Sequence, residues 1–221
     1  MAFDYSRTFD HAVIERAPAR NIYRGFLKRS FDIALVAIAA VPVLIVVGFL
    51  AWLISKDGHS PFYSQQRIGR KGRLFRMWKL RSMIPNADAA LDAYLAENPA
   101  ARLEWDVTQK LKNDPRITRI GRFIRKTSLD ELPQLWNVLT GDMAIIGPRP
   151  IMRDQKSIYP GQAYYEMRPG LSGYWQTSDR NETSFADRAL YDTRYYHDLS
   201  FTTDVTLIFR TLRVVLKCTG Y

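Results

Sequence analysis

The sequence predicts an α+β protein that is mostly helical, with one small β-hairpin and a helix inserted in a membrane. Three observations support this fold class. An uncharged apolar run covers residues 33–54, two strand-like segments flank a glycine-containing turn at 69–72, and helical patterns occupy much of the remaining chain. With 221 residues, 47% hydrophobic and 24% charged, the chain can bury one core and is not disordered overall.

The apolar run from Ile33 to Ile54 is the first element that the pattern defines. A straight helix of this length would extend about 33 Å, which is enough to cross a bilayer. The run begins too late and is too long for a cleavable signal peptide. A buried helix of a soluble core is the alternative, but such helices rarely lack a polar face. The run therefore predicts a membrane anchor.

Positive charge on both flanks of the anchor makes a simple crossing unfavourable, because basic residues prefer the cytoplasmic side. Pro42 lies in the middle of the run, where it removes a backbone donor and kinks the helix. We therefore predict a Pro-broken, re-entrant helix and a monotopic membrane protein. A kinked helix that spans the membrane is the alternative. The basic residues of the flanks are Arg16, Arg20, Arg24, Lys28 and Arg29 before the run, and Lys56, Arg67, Arg70, Lys71, Arg73, Arg76, Lys79 and Arg81 after it.

The remaining elements follow in order along the chain. Residues 1–27 are predicted to be a cytoplasmic tail, 28–56 the anchor, and 57–221 a domain that faces the cytoplasm. The segments at 61–68 and 74–81 predict the hairpin, in which Lys79 and Arg81 share a face. Helices are predicted at 87–97 and 100–112. The stretch at 204–217 is amphipathic, and either the membrane interface or the protein core could bind its apolar face.

The net charge of +10 indicates an anionic partner, which could be nucleic acid, anionic lipid or a phosphorylated substrate. The single cysteine excludes an intrachain disulfide. Together with three scattered histidines it offers no zinc-type ligand spacing.

An acidic pair, Asp130 and Glu131, is predicted to lie in the first turn of a helix that begins near Ser128. The unpaired N–H groups of that turn and the helix dipole create positive potential there. Glu131 follows Ser128 at the spacing of a capping box, so helix capping explains the pair as well as catalysis does. A basic stripe is predicted just before the pair, from arginines at every third position: Arg116, Arg119, Arg122 and Arg125.

A rigid turn, Gly147-Pro148-Arg149-Pro150, presents one arginine. The planar guanidinium of arginine suits phosphate because it donates two parallel hydrogen bonds.

The order and spacing of these motifs resemble the bacterial sugar transferase family, the monotopic polyprenyl-phosphate phosphoglycosyl transferases. The resemblance runs from Lys28 to Tyr221, and the closing segment is similar to the short, exopolysaccharide-initiating form. Two positions depart from the family pattern: Val41 stands before Pro42 where serine is common, and Asp179 stands where glycine is usual. The motifs that carry the resemblance are Lys28–Asp32, Pro42, Arg67–Gly72, Lys79–Met83, Asp114–Thr118, Ser128–Pro133, Gly147–Pro150, Arg168–Gly173 and Thr219–Tyr221.

The resemblance implies an enzyme that transfers a hexose-1-phosphate from a UDP-sugar to undecaprenyl phosphate and releases UMP. This would be the first membrane step of exopolysaccharide biosynthesis, on the cytoplasmic face of the bacterial inner membrane. It also implies a covalent phosphosugar–aspartyl intermediate and Mg²⁺. The implied site residues are Asp130 as nucleophile and metal ligand, Glu131 as its metal-binding partner, Arg125 and Arg149 as phosphate ligands, Lys79 and Arg81 along the site, and Arg180 at the nucleotide.

Two other functions remain compatible with the residues alone. One is a non-catalytic, basic membrane scaffold for polysaccharide assembly, which would release no nucleoside monophosphate from a nucleotide sugar. The other is a nucleic-acid-binding protein, which the apolar run and the lack of a known nucleic-acid module disfavour. We therefore expect membrane lipids and no nucleic acid among the partners. The sequence does not identify the sugar, and it leaves the oligomeric state open, a homo-oligomer included.

Overall fold

The structure is a computed structural model that describes residues 22–108, 111–178 and 185–216. The apolar run forms helix α1 (Lys28–Ile54), which continues a π-helical turn at Tyr23–Leu27. Pro42 lies inside α1. In the described ranges, the segment Tyr23–Asp57 is the one helix that is long and apolar enough to cross a membrane.

The two ends of α1 pack against the rest of the protein, whereas its middle does not. Val36 is buried near the first end, and Leu50 and Ile54 are buried near the second. Between them, apolar side chains point away from the protein with exposures between 67% and 78%: Ile38, Val41, Leu44 and Ile45. Because such exposure is unfavourable in water, the middle of α1 needs an apolar environment.

The predicted hairpin is confirmed. Strands β1 (Phe62–Ile68) and β2 (Leu74–Leu80) pair antiparallel, with Phe62 opposite Leu80 and Ile68 opposite Leu74. The turn between them needs left-handed backbone, which Gly72 adopts at a φ of 74°. The strand β2 has a buried face that carries Phe75 and Met77.

Seven further helices complete the described fold, which is mostly helical as predicted. The helix predicted at 87–97 has these bounds in the structure, and the one predicted at 100–112 begins at Pro99 and is described as far as Thr108. The helices are α2 (Ala87–Glu97), α3 (Pro99–Thr108), α4 (Arg119–Lys126), α5 (Gln134–Thr140), α6 (Ala163–Glu166), α7 (Arg188–Asp198) and α8 (Phe201–Leu216).

A second, parallel pair of strands was not predicted. Strands β3 (Ala144–Ile146) and β4 (Gly170–Ser172) align Ala144 with Gly170 and Ile146 with Ser172. The close approach of these two segments requires Gly147, because a Cβ atom there would lie 2.4 Å from the Arg168 carbonyl oxygen. This pair places the end of β3 beside the candidate site described below.

The side chain of Asn137 connects helix α5 to β2 through two hydrogen bonds. Asn137 donates from Nδ2 to the Arg76 carbonyl oxygen at 2.7 Å and accepts from the Trp78 backbone N–H at 3.1 Å. Asn137 is almost fully buried. It thus occupies two backbone groups of β2 that face away from β1.

The first turns of α1 are joined to β3 and α8 by a cluster of buried polar groups. Lys28 Nζ lies 2.7 Å from Asp204 Oδ2, and the hydroxyls of Tyr23 and Tyr195 each donate to Asp204 at 2.6 Å. Asp32 accepts a hydrogen bond of 3.2 Å from the Ile145 backbone N–H. We call Lys28, Asp32 and Asp204 the anchor cluster.

Helix α8 packs one side against the core, which is one of the two arrangements that its amphipathic sequence allowed. Leu207 is buried in the core beneath it, so part of the helix packs against the protein. Phe209, Leu212 and Leu216 on its outer side expose 65%, 53% and 82% of their surface. The outer side is therefore apolar and uncovered within the described protein.

Candidate active site

The acidic pair lies in a short 3₁₀ turn rather than at the start of an α-helix. The turn covers Leu129–Glu131, and α5 begins only at Gln134, after Pro133. Ser128 has left-handed backbone with a φ of 58°, and its side chain makes no capping hydrogen bond. A capping residue needs extended backbone, so the capping box expected from the sequence was wrong, and capping does not explain the pair.

Lys79 on β2 binds both members of the pair. Its Nζ lies 2.8 Å from Glu131 Oε1 and 3.6 Å from Asp130 Oδ2. The side chains of the three residues remain partly accessible, with exposures of 21% for Lys79, 10% for Asp130 and 22% for Glu131. We call these three residues the site cluster.

Burial raises the pKa of Asp130 above its usual value, and the negative charge of Glu131 raises it further. Lys79 and Arg125 act in the opposite direction and favour the carboxylate. Asp130 is therefore a weakly solvated carboxylate that depends on nearby cations to stay ionised. A carboxyl group whose pKa is shifted by burial and by specific charges, beside a cavity, is a candidate functional group.

Arg149 reaches the same place from the other side. The turn after β3 is held by two backbone hydrogen bonds, Gly147 N–H to the Ser172 carbonyl at 2.8 Å and Gly170 N–H to the Pro148 carbonyl at 2.7 Å. Arg149 Nη2 lies 3.9 Å from Glu131 Oε1, and 35% of the arginine side chain is exposed. The predicted rigid turn thus presents a partly free guanidinium beside the acidic pair.

A small cavity of about 20 Å³ lies between these elements, lined by Glu131, Arg149, Arg67 and Gln134 among others. Arg67 and Gln134 were not among the predicted site residues. Arg67 belonged to the basic residues after the anchor and to a motif of the family resemblance, but no role was assigned to it, and Gln134 belonged to no motif. Both carry a buried nitrogen, Arg67 Nε and Gln134 Nε2, that has no hydrogen-bond partner in the described part of the protein. The walls therefore offer donors for an anionic or polar ligand.

The other predicted site residues lie at different distances from this centre. Arg125, in the last turn of α4, is close enough to influence the pKa of Asp130. Arg81 instead contacts the end of α1, where it donates to the Ile54 carbonyl at 3.2 Å and pairs with Asp57 at 2.6 Å. Its predicted role at phosphate stays a prediction. Arg180 and its neighbour Asp179 lie outside the described residues.

The predicted basic stripe is shorter than expected. Arg116 precedes α4, where it is buried and forms an ion pair of 2.6 Å with Asp114. Only Arg119, Arg122 and Arg125 belong to the helix, because Thr118 caps its first turn by accepting from the Gly121 N–H at 2.9 Å.

The donor set fits a magnesium ion that is shared with a substrate. Asp130 and Glu131 supply the hard carboxylate oxygens that Mg²⁺ prefers, and Mg²⁺ commonly takes only one or two protein carboxylates together with phosphate oxygens and water. Among the residues that the structure describes, no group of three or more Asp, Glu, His or Cys forms a fuller cage.

The geometry describes a site for phosphate chemistry: a poorly solvated carboxylate, a second carboxylate suited to a metal, and basic groups around a cavity. Residues 23–218 match the bacterial sugar transferase family. The chain belongs to this family, as its motifs predicted.

Three relatives make the similarity specific. The chain is 43% identical to the UDP-galactose-lipid carrier transferase of Erwinia amylovora, over 98% of this chain and 46% of that protein. It is 44% identical to the undecaprenyl-phosphate galactose phosphotransferase of Salmonella typhimurium, over 98% and 47%. It is also 42% identical to the exopolysaccharide production protein ExoY of Sinorhizobium fredii, over 89% and 88%. The chain thus spans about half the length of the first two relatives and most of the third.

Proposed function

We propose that this protein transfers a hexose-1-phosphate from a UDP-sugar to undecaprenyl phosphate and releases UMP. The observation that carries the proposal is the site cluster, in which the partly desolvated Asp130 lies beside Glu131 and is contacted by Lys79. The names of the first two relatives, which mention UDP-galactose and undecaprenyl phosphate, support the donor and acceptor classes. The similarity to ExoY supports a place in exopolysaccharide production.

The proposed reaction has two displacements at one phosphorus atom. First, an Asp130 carboxylate oxygen attacks the phosphorus that bears the sugar, the diphosphate bridge breaks, and the nucleoside monophosphate leaves with the bonding electron pair. Second, an oxygen of the lipid phosphate attacks the same phosphorus, and the bond to Asp130 breaks, which regenerates the carboxylate. A carboxylate nucleophile thus divides one difficult transfer into two easier ones.

Cations around Asp130 stabilise the transferring phosphoryl group in both steps. Negative charge accumulates on the oxygens of the transferring phosphoryl group, and fixed positive groups stabilise it. Lys79 and Arg149 lie close enough to Glu131 to serve in this way. When bound, Mg²⁺ would be held by Asp130 and Glu131 and would neutralise charge on the diphosphate oxygens.

The decisive experiment is to trap a labelled sugar phosphate on the protein. With a UDP-sugar and no lipid acceptor, the wild-type chain should retain label through an acid-stable, hydroxylamine-sensitive acyl phosphate bond. Asp130→Asn should retain none and should transfer none to undecaprenyl phosphate. Asp92→Asn, on the exposed side of α2, is the matched control and should behave like the wild type. Full transfer by Asp130→Asn would disprove the proposed nucleophile.

We infer that α1 enters and leaves the membrane on one side, so that the protein is monotopic on the cytoplasmic face of the inner membrane. Both ends of α1 pack on the same body of protein, and the exposed middle contains Pro42. The apolar outer side of α8 is suited to the membrane interface.

Topology can be tested with single cysteines in a Cys218→Ser background. Ala2→Cys precedes α1 and Lys112→Cys follows it, and an impermeant maleimide should label both in inverted vesicles and neither in intact spheroplasts. Labelling of the two positions from opposite sides would establish a spanning helix instead. A Pro42→Ala substitution should favour that spanning arrangement, because it removes the residue that favours a kink in the helix.

A further inference from the structure

Arginines surround the cavity more densely than the sequence motifs indicate. Arg149 and Arg188 both lie over the ring of Trp175, at 5.8 Å and 4.1 Å from its centroid. Arg67 lines the cavity beside Arg149 and donates to the Pro150 carbonyl at 3.4 Å. The charge of Arg149 acts on both Arg67 and Arg188, so three guanidinium groups from β1, the turn after β3, and α7 lie near one another. We call Arg67, Arg149 and Arg188 the arginine cluster.

Among the described residues, Arg67 and Arg188 form no ion pair, and Arg149 comes only within 3.9 Å of Glu131, although the charge of Asp154 acts on Arg67. Burial, and to a smaller extent the charge of Arg149, lower the pKa of Arg67 and of Arg188 to about 10. The acidic group that acts on Arg188 is Asp192, whose carboxylate already accepts a hydrogen bond from Tyr159 at 2.5 Å. Buried cations that repel one another are unfavourable unless an anion joins them.

Unpaired hydrogen-bond donors also indicate that an anionic ligand binds here. Arg67 Nε and Arg188 Nε are buried without a partner among the described residues, and so are Gln134 Nε2 and Gln176 Nε2. A buried donor that is left unpaired destabilises the folded protein. Such donors are kept where a ligand completes them. Guanidinium groups match the oxygens of a phosphate in both charge and geometry.

We propose that the arginine cluster is a subsite for a phosphate monoester, occupied in turn by the leaving nucleoside monophosphate and by the incoming lipid phosphate. This inference rests on the proposed function. In each displacement the attacking and leaving oxygens lie roughly in line on opposite sides of phosphorus. If Asp130 occupies one side, the nucleotide leaves from the other, and the acceptor must attack from that same side. One subsite therefore serves both phosphates.

The charge balance of the first step supports this arrangement. When the diphosphate bridge breaks, the electron pair moves onto the bridging oxygen, and the leaving phosphate gains a negative charge. The arginine cluster stabilises that charge without proton transfer, because arginine remains protonated at neutral pH. In the second step the same guanidinium groups orient the lipid phosphate, whose headgroup is chemically equivalent.

The test is a binding competition on the full chain in nanodiscs, with no sugar donor present, so that no transfer occurs. UMP and a short-chain polyprenyl phosphate should each bind, and each should displace the other completely, whereas uridine should not displace the lipid. Arg188→Gln should weaken both ligands about ten- to a hundredfold, as expected for loss of a charged hydrogen bond. Arg194→Gln, on the same helix with 70% of its side chain exposed, is the matched control and should leave both affinities unchanged.

Three outcomes would overturn the shared subsite: simultaneous binding of both ligands, weakening of only one, or unchanged binding of both by Arg188→Gln. If melting curves show that Arg188→Gln is unfolded, Arg149→Gln replaces it, because that side chain is partly exposed. The competition between the two ligands needs no variant. The measurements should be repeated with Asp130→Asn. Phosphate binding does not need the nucleophile, so this variant tests the subsite independently of the proposed covalent step.

Discussion

The anchor cluster and the site cluster have the same composition, one lysine with two carboxylates, yet their surroundings differ. In the anchor cluster, 14% of the Lys28 side chain is exposed, and 3% and 1% of Asp32 and Asp204. Two tyrosine hydroxyls and a backbone N–H donate hydrogen bonds to its carboxylates. The site cluster is more accessible and adjoins a cavity with unpaired donors.

The difference teaches that composition does not separate a structural ion cluster from a chemical one. A structural cluster is closed: its groups satisfy one another and exclude water, so its contribution is to stability. A chemical cluster is left incomplete, and a ligand supplies the missing partners. Substitutions in the two clusters should therefore produce opposite patterns of lost stability and lost activity.

The largest effect is expected from Asp204→Ala in the anchor cluster. The substitution leaves Lys28 buried without its closest counter-charge and removes the acceptor of two tyrosine hydroxyls. Breaking a buried pair in this way costs about 3–5 kcal/mol. Thermal unfolding in detergent should show the loss, and activity should fall only with the folded fraction. An unchanged melting temperature would mean that the anchor cluster is not structural.

Glu131→Gln should give the reverse pattern. Its side chain is 22% exposed, so we expect a change in unfolding free energy below about 1 kcal/mol. Loss of a metal-binding carboxylate at the transferring phosphoryl group should lower the rate about 100- to 1,000-fold. UMP release measured across a Mg²⁺ titration checks this, with Asp92→Asn as control. A rate close to wild type would remove Glu131 from the mechanism.

Asp192 extends the comparison to a buried carboxylate with fewer partners. Burial raises its pKa to about 7, although the Tyr159 hydrogen bond and Arg188 oppose the shift. Because the folded state binds this proton more tightly than the unfolded state, stability should be highest at low pH. It should fall by about 2 kcal/mol as pH rises from 5 to 8. Melting curves should show this decline in the wild type and lose that component in Asp192→Asn, which keeps an acceptor for Tyr159.

The smallest effect is expected from Lys79→Gln, which tests how the site cluster keeps its nucleophile ionised. Lys79 lowers the pKa of Asp130, so its removal should move the pH at which covalent trapping begins to a higher value. A shift of one pH unit would lower the trapping rate about tenfold below the midpoint. The control is Lys126→Gln, an exposed residue of α4 whose pH profile should match the wild type. Parallel profiles for both variants would assign Lys79 a purely structural role.

Local patterns in the sequence were sufficient for the parts of the fold that depend on neighbours along the chain. The apolar run predicted α1, the turn at 69–72 predicted the hairpin, and the pattern at 87–97 predicted α2. The pairing of β3 with β4 was not predicted, because each strand has only three residues and its partner is more than twenty positions away in the sequence. The start of α5 was predicted wrongly. Ser128 and Glu131 have the spacing of a capping box, but Ser128 has left-handed backbone and cannot cap the helix.

The candidate site was predictable only in part for a related reason. Asp130, Glu131 and Arg149 belong to contiguous motifs, and the family resemblance gave them roles that local physics could not. Arg67 begins a motif of the resemblance and Arg188 belongs to none, and neither carries a sequence signal of a phosphate ligand. Their distinguishing property is burial close to Arg149, which depends on three separate elements meeting.

The side chain of Asn137 has a consequence for the solubility of the protein during production. A strand whose outer N–H and C=O groups are free is a template on which another chain can add, and this is a common origin of aggregation. The amide of Asn137 has the same donor and acceptor as a peptide bond, and it occupies the outer groups of Arg76 and Trp78. A single side chain thus acts as a one-residue third strand that blocks the β2 edge of the hairpin to intermolecular growth.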